Sequence, residues 1–372
     1  MKKTGFTLQN ILNRLVGSTS APSIGNKRKR TRILRIEELE EREMLSVTLG
    51  DFAAIKTNYA DLGLTNFADY NIIEVGGAGD QAGGANNNFD FSDAGIRAAI
   101  NMAGTTTGND LIVVRTTATE NTITLIGWEL VVNIEGEKFG GITIVSLGSE
   151  KLTIDANGQS RVFGVYESNL ALAGLMITGG NANNERDGGG IYNYHGSLTI
   201  SNCIISGNTT SSSPSGFASC GGGIYNNGML TLTDSTISGN TATGTPFPPC
   251  GGGIYSTSTL TLANCTISEN TSRFGGGVYS SGTLTIIGGK IVGNSASFYG
   301  GGIYSSGELE ITDCIISENT VSSSIGSYGG GVYSSGEMAL MNCIGTVRKL
   351  NYQIALSPLQ LDCYSSLFHF PF

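Results

Sequence analysis

The sequence is poor in charged residues, in histidine and in long apolar runs, and each shortage argues against a class of function. Charged residues make up 14% of the 372 residues, and only His195 and His369 are histidines. A general base is therefore hard to assign. No run of 18 apolar residues occurs, so the sequence predicts no transmembrane segment. It also has no CxxC motif and no Cys/His cluster, so we expect no zinc site and no cofactor.

The net charge of −9 is distributed unevenly along the chain. Residues 1–46 carry ten Lys or Arg and five Glu, which leaves −14 on the remainder. Because an acidic surface repels phosphate, nucleic acid is not an expected partner of that remainder. The basic run 27–30 is interpreted as a solvated or targeting segment.

Glycine is abundant, with 55 residues, and much of it falls in a repeated motif. The pentapeptide Gly-Gly-Gly-(Ile/Val)-Tyr occurs six times, at spacings of 33, 30, 24, 25 and 29 residues. A period of this length is typical of a solenoid. The six copies begin at Gly188, Gly221, Gly251, Gly275, Gly300 and Gly329.

Each copy contains three short β-branched stretches separated by turn residues. In the second copy these stretches are 223–225, 230–232 and 236–238, and Asn-Gly and Gly-Asn pairs mark the turns. Alternating stretches of this length predict strands rather than helices. Three strands in about 25 residues predict one coil of a parallel β-helix. The predicted fold class is therefore all-β, a parallel β-helix of roughly nine coils between about residues 108 and 344.

Equivalent residues of successive coils are expected to stack into columns along the solenoid. One inward column consists of leucines, and a second column consists of the asparagine that ends each copy. Stacked Asn side chains can hydrogen-bond amide to amide. The leucines are Leu198, Leu230, Leu260, Leu284 and Leu309, and the asparagines are Asn208, Asn240, Asn270, Asn294 and Asn319.

A column of tyrosines is the candidate ligand surface. If the Ile or Val before each tyrosine points inward, strand alternation directs the ring outward. Rings spaced by one coil could stack on sugar faces, or they could stack on each other and stabilise the sheet. The six residues are Tyr192, Tyr225, Tyr255, Tyr279, Tyr304 and Tyr333.

An enzyme on this fold would need neighbouring carboxylates, and the repeats offer few. Glu308 and Glu310 flank Leu309 on one strand, and Glu337 could stack near them. We interpret this group as a solvated face. No catalytic, cofactor-binding or metal-binding residue is assigned, and the sequence favours a non-catalytic protein.

The segments between each Asn and the next triple glycine vary in length and leave the coil at one corner. The longest are 209–220, 241–250 and 320–328. Loops on a rigid scaffold are a usual place for binding sites, so these segments are a second candidate surface.

Two groups of cysteines have different predicted roles. Cys220 and Cys250 each directly precede a triple glycine in neighbouring coils, where stacked Cα atoms lie within disulfide range, so a Cys220–Cys250 bridge is predicted. The other group occupies one repeat position and is expected to point inward as a small buried residue. Its members are Cys203, Cys265, Cys314 and Cys343.

The chain divides into four predicted regions. Residues 1–46 form a basic, charged, export-type segment, and 47–89 are a transition with a Gly-rich linker. The β-helix occupies 90–344 and begins with a short helix over 91–103, capped by Ser92 or Asp93, that covers the first coil. Residues 345–372 lack the repeat and are a cap or a truncated or frame-shifted end.

Residues 32–46 resemble the LEPR-XLL motif at the start of planctomycete surface proteins. Leu39-Glu-Glu-Arg42 and Met44-Leu45-Ser46 carry the resemblance. It implies export to an extracellular or cell-surface location of a bacterium.

The repeat GGGIYNNGMLTLTDSTISGN resembles the right-handed β-helices of the pectin-lyase-like superfamily, and in particular repeats of the polymorphic outer membrane protein type. The superfamily includes lyases, hydrolases, adhesins and inert stalks, so the resemblance implies fold more than activity. The resulting expectation is an adhesive or structural surface protein that could bind a surface glycan or another cell-surface protein. The alternative is a polysaccharide lyase or hydrolase.

Overall fold

The computed structural model describes residues 47–76, 87–134, 139–182, 187–211, 219–244, 248–322, 329–345 and 347–349. Everything described belongs to one compact unit that begins at Met44. The predictions for residues 1–46, for the glycines between 77 and 84, and for 350–372 lie outside the described residues.

The described chain is a parallel β-solenoid, as the repeat predicts. Four sheets run along it, with eleven strands in sheet A, nine in sheet B, nine in sheet C and five in sheet D. Each strand pairs in parallel with the equivalent strand of the next coil. The three predicted stretches of the second copy are strands of sheets C, A and B.

The strand bounds follow the repeat. Sheet A contains Tyr70–Val75, Asn88–Phe89, Asn109–Thr116, Ile142–Gly148, Asn169–Ala173, Ser197–Ser201, Met229–Thr233, Thr259–Ala263, Leu284–Ile287, Leu309–Thr312 and Met338–Met341. Sheet B contains Thr122–Thr124, Leu152–Asp155, Leu175–Thr178, Ile204–Ser206, Thr236–Ser238, Thr266–Ser268, Lys290–Val292, Ile315–Ser317 and Ile344–Gly345. Sheet C contains Leu130–Asn133, Phe163–Tyr166, Ile191–Tyr194, Ile224–Asn226, Ile254–Ser256, Val278–Ser280, Ile303–Ser305, Val332–Ser334 and Val347–Lys349. Sheet D contains Thr209–Ser211, Thr241–Thr243, Thr271–Phe274, Ser295–Tyr299 and Thr320–Val321.

The core is built from identical residues stacked on each other. The leucine column pairs in register from Leu198 to Leu309, and each of its members is at most 3% exposed. Burial of one such side chain stabilises the fold by roughly 1.5–3 kcal/mol. The inward cysteines Cys203, Cys265, Cys314 and Cys343 are also buried. Burial raises the pKa of the Cys203 thiol to about 11, so this thiol stays protonated at neutral pH.

The predicted helix at the start of the β-helix is present as α2, Asp93–Ala103. Its cap is Ser92, whose side chain accepts a hydrogen bond from the Gly95 backbone N–H. Ile96, Ala99 and Ile100 are buried in the same apolar cluster as the first coils. The helix therefore supplies the apolar cover that the first coil would otherwise take from a preceding coil.

Residues 47–76 are structured, although the sequence analysis interprets them as part of a transition. They contain α1 (Leu49–Asn58), the 3-10 turns Ala60–Leu62 and Phe67–Asp69, and the sheet A strand Tyr70–Val75. Phe52 and Ile55 pack with Leu111 and Val113 on the outer face of sheet A. This packing explains the unbroken apolar run 111–114, because both faces of that strand are buried.

An ion-pair network attaches α1 to sheet A. Arg115 contacts Glu74 on the neighbouring strand and lies 3.2 Å from Asp51 of α1. Burial raises the pKa of Glu74. Burial alone would lower the pKa of Arg115, but its contacts with Glu74 and Asp51 raise it, so the guanidinium stays charged. Breaking this network by removing Arg115 alone would leave a buried carboxyl without its cation.

Asp110 is a fully buried carboxyl at the start of its strand, and its burial makes the free energy of unfolding depend on pH. Thr106 Oγ1 donates to its Oδ1 at 2.5 Å, and the Asn71 side chain also lies against the carboxyl. Burial raises the pKa of Asp110. As the pH rises above about 4, the unfolded carboxyl loses its proton before the native one does. The native state then binds more protons than the unfolded state, so the contribution of Asp110 to stability falls.

We expect Asp110→Asn to raise the melting temperature at pH 7, corresponding to about 1–2 kcal/mol, because the amide removes a poorly solvated charge. The gain should shrink towards pH 4, where wild-type Asp110 is protonated. Thermal melts by circular dichroism across this pH range test the prediction, with the exposed Asp61→Asn as control. A gain that is equal at both pH values would contradict it.

Candidate functional site

The six tyrosines form one continuous column on the outer face of sheet C. The Ile or Val before each ring is fully buried, and each ring is half-buried. Successive rings from Tyr192 to Tyr333 are stacked, with centroid separations of 5.0, 5.2, 5.1, 4.6 and 5.2 Å. The tyrosines therefore face outward, and their rings also stack on each other.

The stacking determines which part of each ring a ligand can reach. Neighbouring rings cover the faces of the internal tyrosines, so only ring edges and hydroxyls face the solvent. The Tyr279 hydroxyl bonds to Ser306, and burial raises its pKa to about 12. Burial also raises the pKa of Tyr225 and Tyr255. The column thus offers neutral hydroxyls rather than open aromatic platforms.

The upstream end of the tyrosine column meets a buried ion pair. The Arg161 guanidinium lies 4.8 Å from the Tyr192 centroid, and its Nη1 donates to Glu129 Oε2 at 2.8 Å. The Tyr166 hydroxyl donates to Glu129 Oε1 at 2.9 Å. Gly164 occupies the column position of the preceding coil, so the stack of rings ends at Tyr192. There the Arg161 cation lies over the ring, and the Tyr166 ring contacts it at a tilted angle with a centroid separation of 5.8 Å.

A second column flanks the tyrosines and contains residues that directly precede a triple glycine, namely Cys220, Cys250, Phe274 and Tyr299. Phe274 meets Tyr304 edge-on at 6.2 Å, and Tyr299 lies 4.9 Å from Tyr333. Cys220 and Cys250 occupy this position in two earlier coils, where the Gly221 backbone N–H donates to the Cys250 carbonyl at 2.9 Å. The flanking column buries one side of the tyrosine rings.

Cys220 and Cys250 lie next to each other and are not bonded in this structure. The thiols share a hydrogen bond, and this contact, with burial, raises the pKa of Cys220. The Cys220–Cys250 disulfide therefore stays a prediction, and the two thiols are close enough to form it by thiol–disulfide exchange. Two thiols and one molecule of oxidised glutathione give one intramolecular disulfide and two molecules of reduced glutathione.

We expect oxidised glutathione to convert Cys220 and Cys250 to a disulfide, faster as the pH rises because the thiolate attacks. Closing a loop of this length would stabilise the fold by about 3–4 kcal/mol in the chain-entropy model. Peptide mass spectrometry after alkylation identifies the linked pair, with Cys203, buried in the core, as internal control. Recovery of both residues as alkylated thiols would refute the bridge.

The asparagine column lies inside the solenoid rather than on its surface. Asn208, Asn240, Asn270 and Asn294 are fully buried. The amide of each donates to the side-chain oxygen of the next Asn at 2.9–3.0 Å, up to Asn319. The backbone N–H of each donates to the same oxygen. The column is therefore structural and offers no polar group to a ligand.

A second buried polar column lies at the end of the sheet C strands, and the sequence analysis does not include it. It begins with Asn193, whose amide donates to Asn226 Oδ1 at 2.7 Å, and Asn226 in turn donates to Ser256 at 3.0 Å. The residue type at this position changes from Asn to Ser along the chain. Both types are common in turns, so the column is hard to recognise from the sequence. The later members are Ser280, Ser305 and Ser334.

The sequence places three glutamates of the repeat region close together on a predicted solvated face. Glu308, Glu310 and Glu337 are all exposed, as expected of a solvated face. Within the part of the chain that the structure describes, no set of three or more His, Cys, Asp or Glu side chains could hold a metal ion. No helix in the described ranges has the length and apolar character needed to cross a bilayer.

The variable segments after each Asn begin with regular structure. Thr209–Ser211, Thr241–Thr243 and Thr320–Val321 are strands of sheet D, because each stacks on its equivalent in the next coil. The tips at 212–218, 245–247 and 323–328 lie outside the described residues. Only the bases of these candidate binding loops are therefore placed, all along one edge.

The most exposed aromatic side chain of the described residues lies elsewhere. Trp128, the single tryptophan of the sequence, is 76% exposed in the first coil, and Ile126 beside it is 80% exposed. Trp128 lies outside the triple-glycine repeats, so the repeat pattern does not mark it as a candidate. Its presence in a turn, next to Gly127, is the signal that could have identified it.

The described residues thus contain an outward tyrosine column with a flanking column beside it, two inward polar columns and one isolated exposed tryptophan. The chain matches no family model, no curated protein and no solved structure. The parallel β-helix is what the structure establishes about the class of this protein.

Proposed function

We propose that the protein is a non-catalytic, exported protein of a bacterial cell surface, adhesive or structural, that contacts a surface glycan or another surface protein. The observation that carries the proposal is the uninterrupted column structure. From Asn208 to Asn319 and from Tyr192 to Tyr333, every coil repeats the contacts of the coil before it.

Such repetition suits a rigid scaffold. Each coil contacts only its neighbours, so stability grows with the number of coils. The variable segments leave along one edge, where they can be presented to a large partner. Export is supported by the resemblance of 32–46 to the LEPR-XLL motif.

The tyrosine column is one candidate contact surface within this proposal. Because its ring faces are covered, a ligand would meet hydroxyls and edges, as in hydrogen bonding to a polysaccharide laid along the solenoid. Replacing Tyr255 with phenylalanine removes one hydroxyl and keeps the ring stack, so it separates ligand contact from folding.

The test is a glycan array with the full chain, combined with an ultraviolet assay for unsaturated product in the presence of calcium. We expect glycan binding without new absorbance. Formation of unsaturated product would favour a polysaccharide lyase and overturn the non-catalytic proposal. Absence of binding to any glycan would remove the glycan-contact part and leave a protein partner or a purely structural role.

A further inference from the structure

Trp128 is an aromatic surface that the fold does not use for packing. It lies between β-strands Thr122–Thr124 and Leu130–Asn133 of the first coil and follows Gly127, whose φ of +89° forms the turn. Tyrosines of the column have covered faces, whereas 76% of Trp128 is open to solvent. Leaving so large an apolar side chain in water forgoes a major burial gain.

The backbone beneath Trp128 is held firmly. Arg97 of α2 donates from Nη2 to the Trp128 carbonyl, and from Nη1 to the Glu129 carbonyl at 2.8 Å. Asp93 fixes the same guanidinium from the other side at 2.8 Å. The exposed ring is therefore presented on a backbone anchored to the capping helix, which lowers the entropy lost on binding.

A small cavity of about 110 Å³ lies beside this backbone. It is far below the several hundred Å³ of pockets that enclose a whole ligand, so it fits one substituent of a larger molecule. The Asn101 side chain at its rim is exposed and can both donate and accept hydrogen bonds. The cavity is lined by Arg97, Ile100, Asn101, Glu129, Leu130 and Val131.

The charges of this site are already neutralised. Glu129 binds Arg161 and Tyr166, and Arg97 binds Asp93. Of the side chains that line the cavity, the polar one left for a ligand is Asn101, whose amide is uncharged and exposed. An open ring, a cavity the size of one substituent and uncharged hydrogen-bonding groups match the apolar face and hydroxyls of a neutral pyranose.

We infer that Trp128, Asn101 and the adjacent cavity form a binding site for a neutral glycan at the first coil. This inference rests on the proposed glycan-contact function and assigns it to a place distinct from the tyrosine column. The sugar ring lies on the Trp128 face, its exocyclic substituent enters the cavity, and Asn101 bonds to a hydroxyl.

Because Trp128 is the only tryptophan, its fluorescence reports on this site alone when excited where tyrosine does not absorb. The full chain is titrated with cellohexaose, xylohexaose and maltohexaose, with hexagalacturonate as the charged comparison. At least one neutral probe is expected to shift the emission to shorter wavelength. Calorimetry measures the affinity for that probe. Trp128→Ala should lower the affinity about tenfold or more, Trp128→Phe should lower it less, and Asn101→Ala should lower it several-fold.

The control variant is Met229→Ala, which removes an exposed apolar side chain on sheet A, 61% exposed, and should leave binding unchanged. Trp128→Ala should melt within a few degrees of wild type, because the lost side chain is exposed. If wild type binds array glycans while Trp128 emission and the variants' affinities are unchanged, this inference fails and the proposed function stands. If no glycan binds wild type, this inference fails together with the glycan-contact part of the proposed function, and the protein-partner or structural part stands.

Phosphatidylcholine vesicles are titrated in the same way. An emission shift with vesicles and none with oligosaccharides would assign the Ile126–Trp128 turn to a lipid surface and overturn the glycan site.

Discussion

Replacing Gly252 with alanine is expected to destabilise the β-helix by about 3 kcal/mol or more. A Cβ at this position would lie 2.5 Å from the carbonyl oxygens of Gly276 and Thr271. Both obstacles are backbone atoms, which cannot rotate away as a side chain would. The coils would have to separate at this corner, breaking the hydrogen bonds that pass from each glycine to the next coil.

The matched control is Gly50→Ala in α1. There the added Cβ meets only the Thr48 hydroxyl at an ordinary 3.5 Å. Because alanine is the better helix former, this variant should be neutral or stabilised by up to about 1 kcal/mol. Urea unfolding followed by circular dichroism measures both. Equal stability of the two variants would show that the triple-glycine corner tolerates side chains and that its spacing has another cause.

The periodic part of the fold could be predicted from sequence because its residues recur in register. Leu230 and Leu260 occupy the same repeat position, and the structure pairs them directly. The same holds for Tyr225 and Tyr255. Because the coils are nearly identical, the alternation of apolar and polar residues in one coil predicts which residues point inward and outward in all the others.

The parts that could not be predicted are those where a contact forms between non-equivalent residues. Nothing in residues 47–76 repeats, so the packing of Phe52 on Leu111 depends on tertiary structure that no local pattern encodes. Sheet D was hidden for a different reason. Its strands are only two to five residues long and directly follow a turn, so they are hard to distinguish from the loops they begin.

The candidate site shows the same division. Alternation predicts that the tyrosines face outward, but it does not give the separation of their rings, and that separation decides whether a face remains open. At 5.0–5.2 Å between Tyr192, Tyr225 and Tyr255, no sugar can enter between rings. The open aromatic face belongs to Trp128, in a coil without the motif.

Replacing Asn270 with alanine is expected to destabilise the protein by about 3–5 kcal/mol, because the substitution leaves several buried polar groups without partners at once. The Asn270 amide donates to the Ile237 carbonyl at 2.9 Å and to Asn294 Oδ1 at 3.0 Å. Its oxygen accepts from the backbone N–H and from the side chain of Asn240, at 2.9 and 3.0 Å. The site is fully buried, so water cannot replace these bonds without opening the coil.

The loss should also be local. In a solenoid each coil interacts with its nearest neighbours, so one broken layer can divide the chain into two units that unfold separately. Hydrogen exchange should therefore show the largest loss of protection in the strands that follow Asn240 and Asn270. The exposed Asn133→Ala, matched in chemistry, should change stability by less than about 0.5 kcal/mol. Uniform loss of protection along the described coils would instead mean that the asparagine column stabilises the β-helix as one cooperative unit.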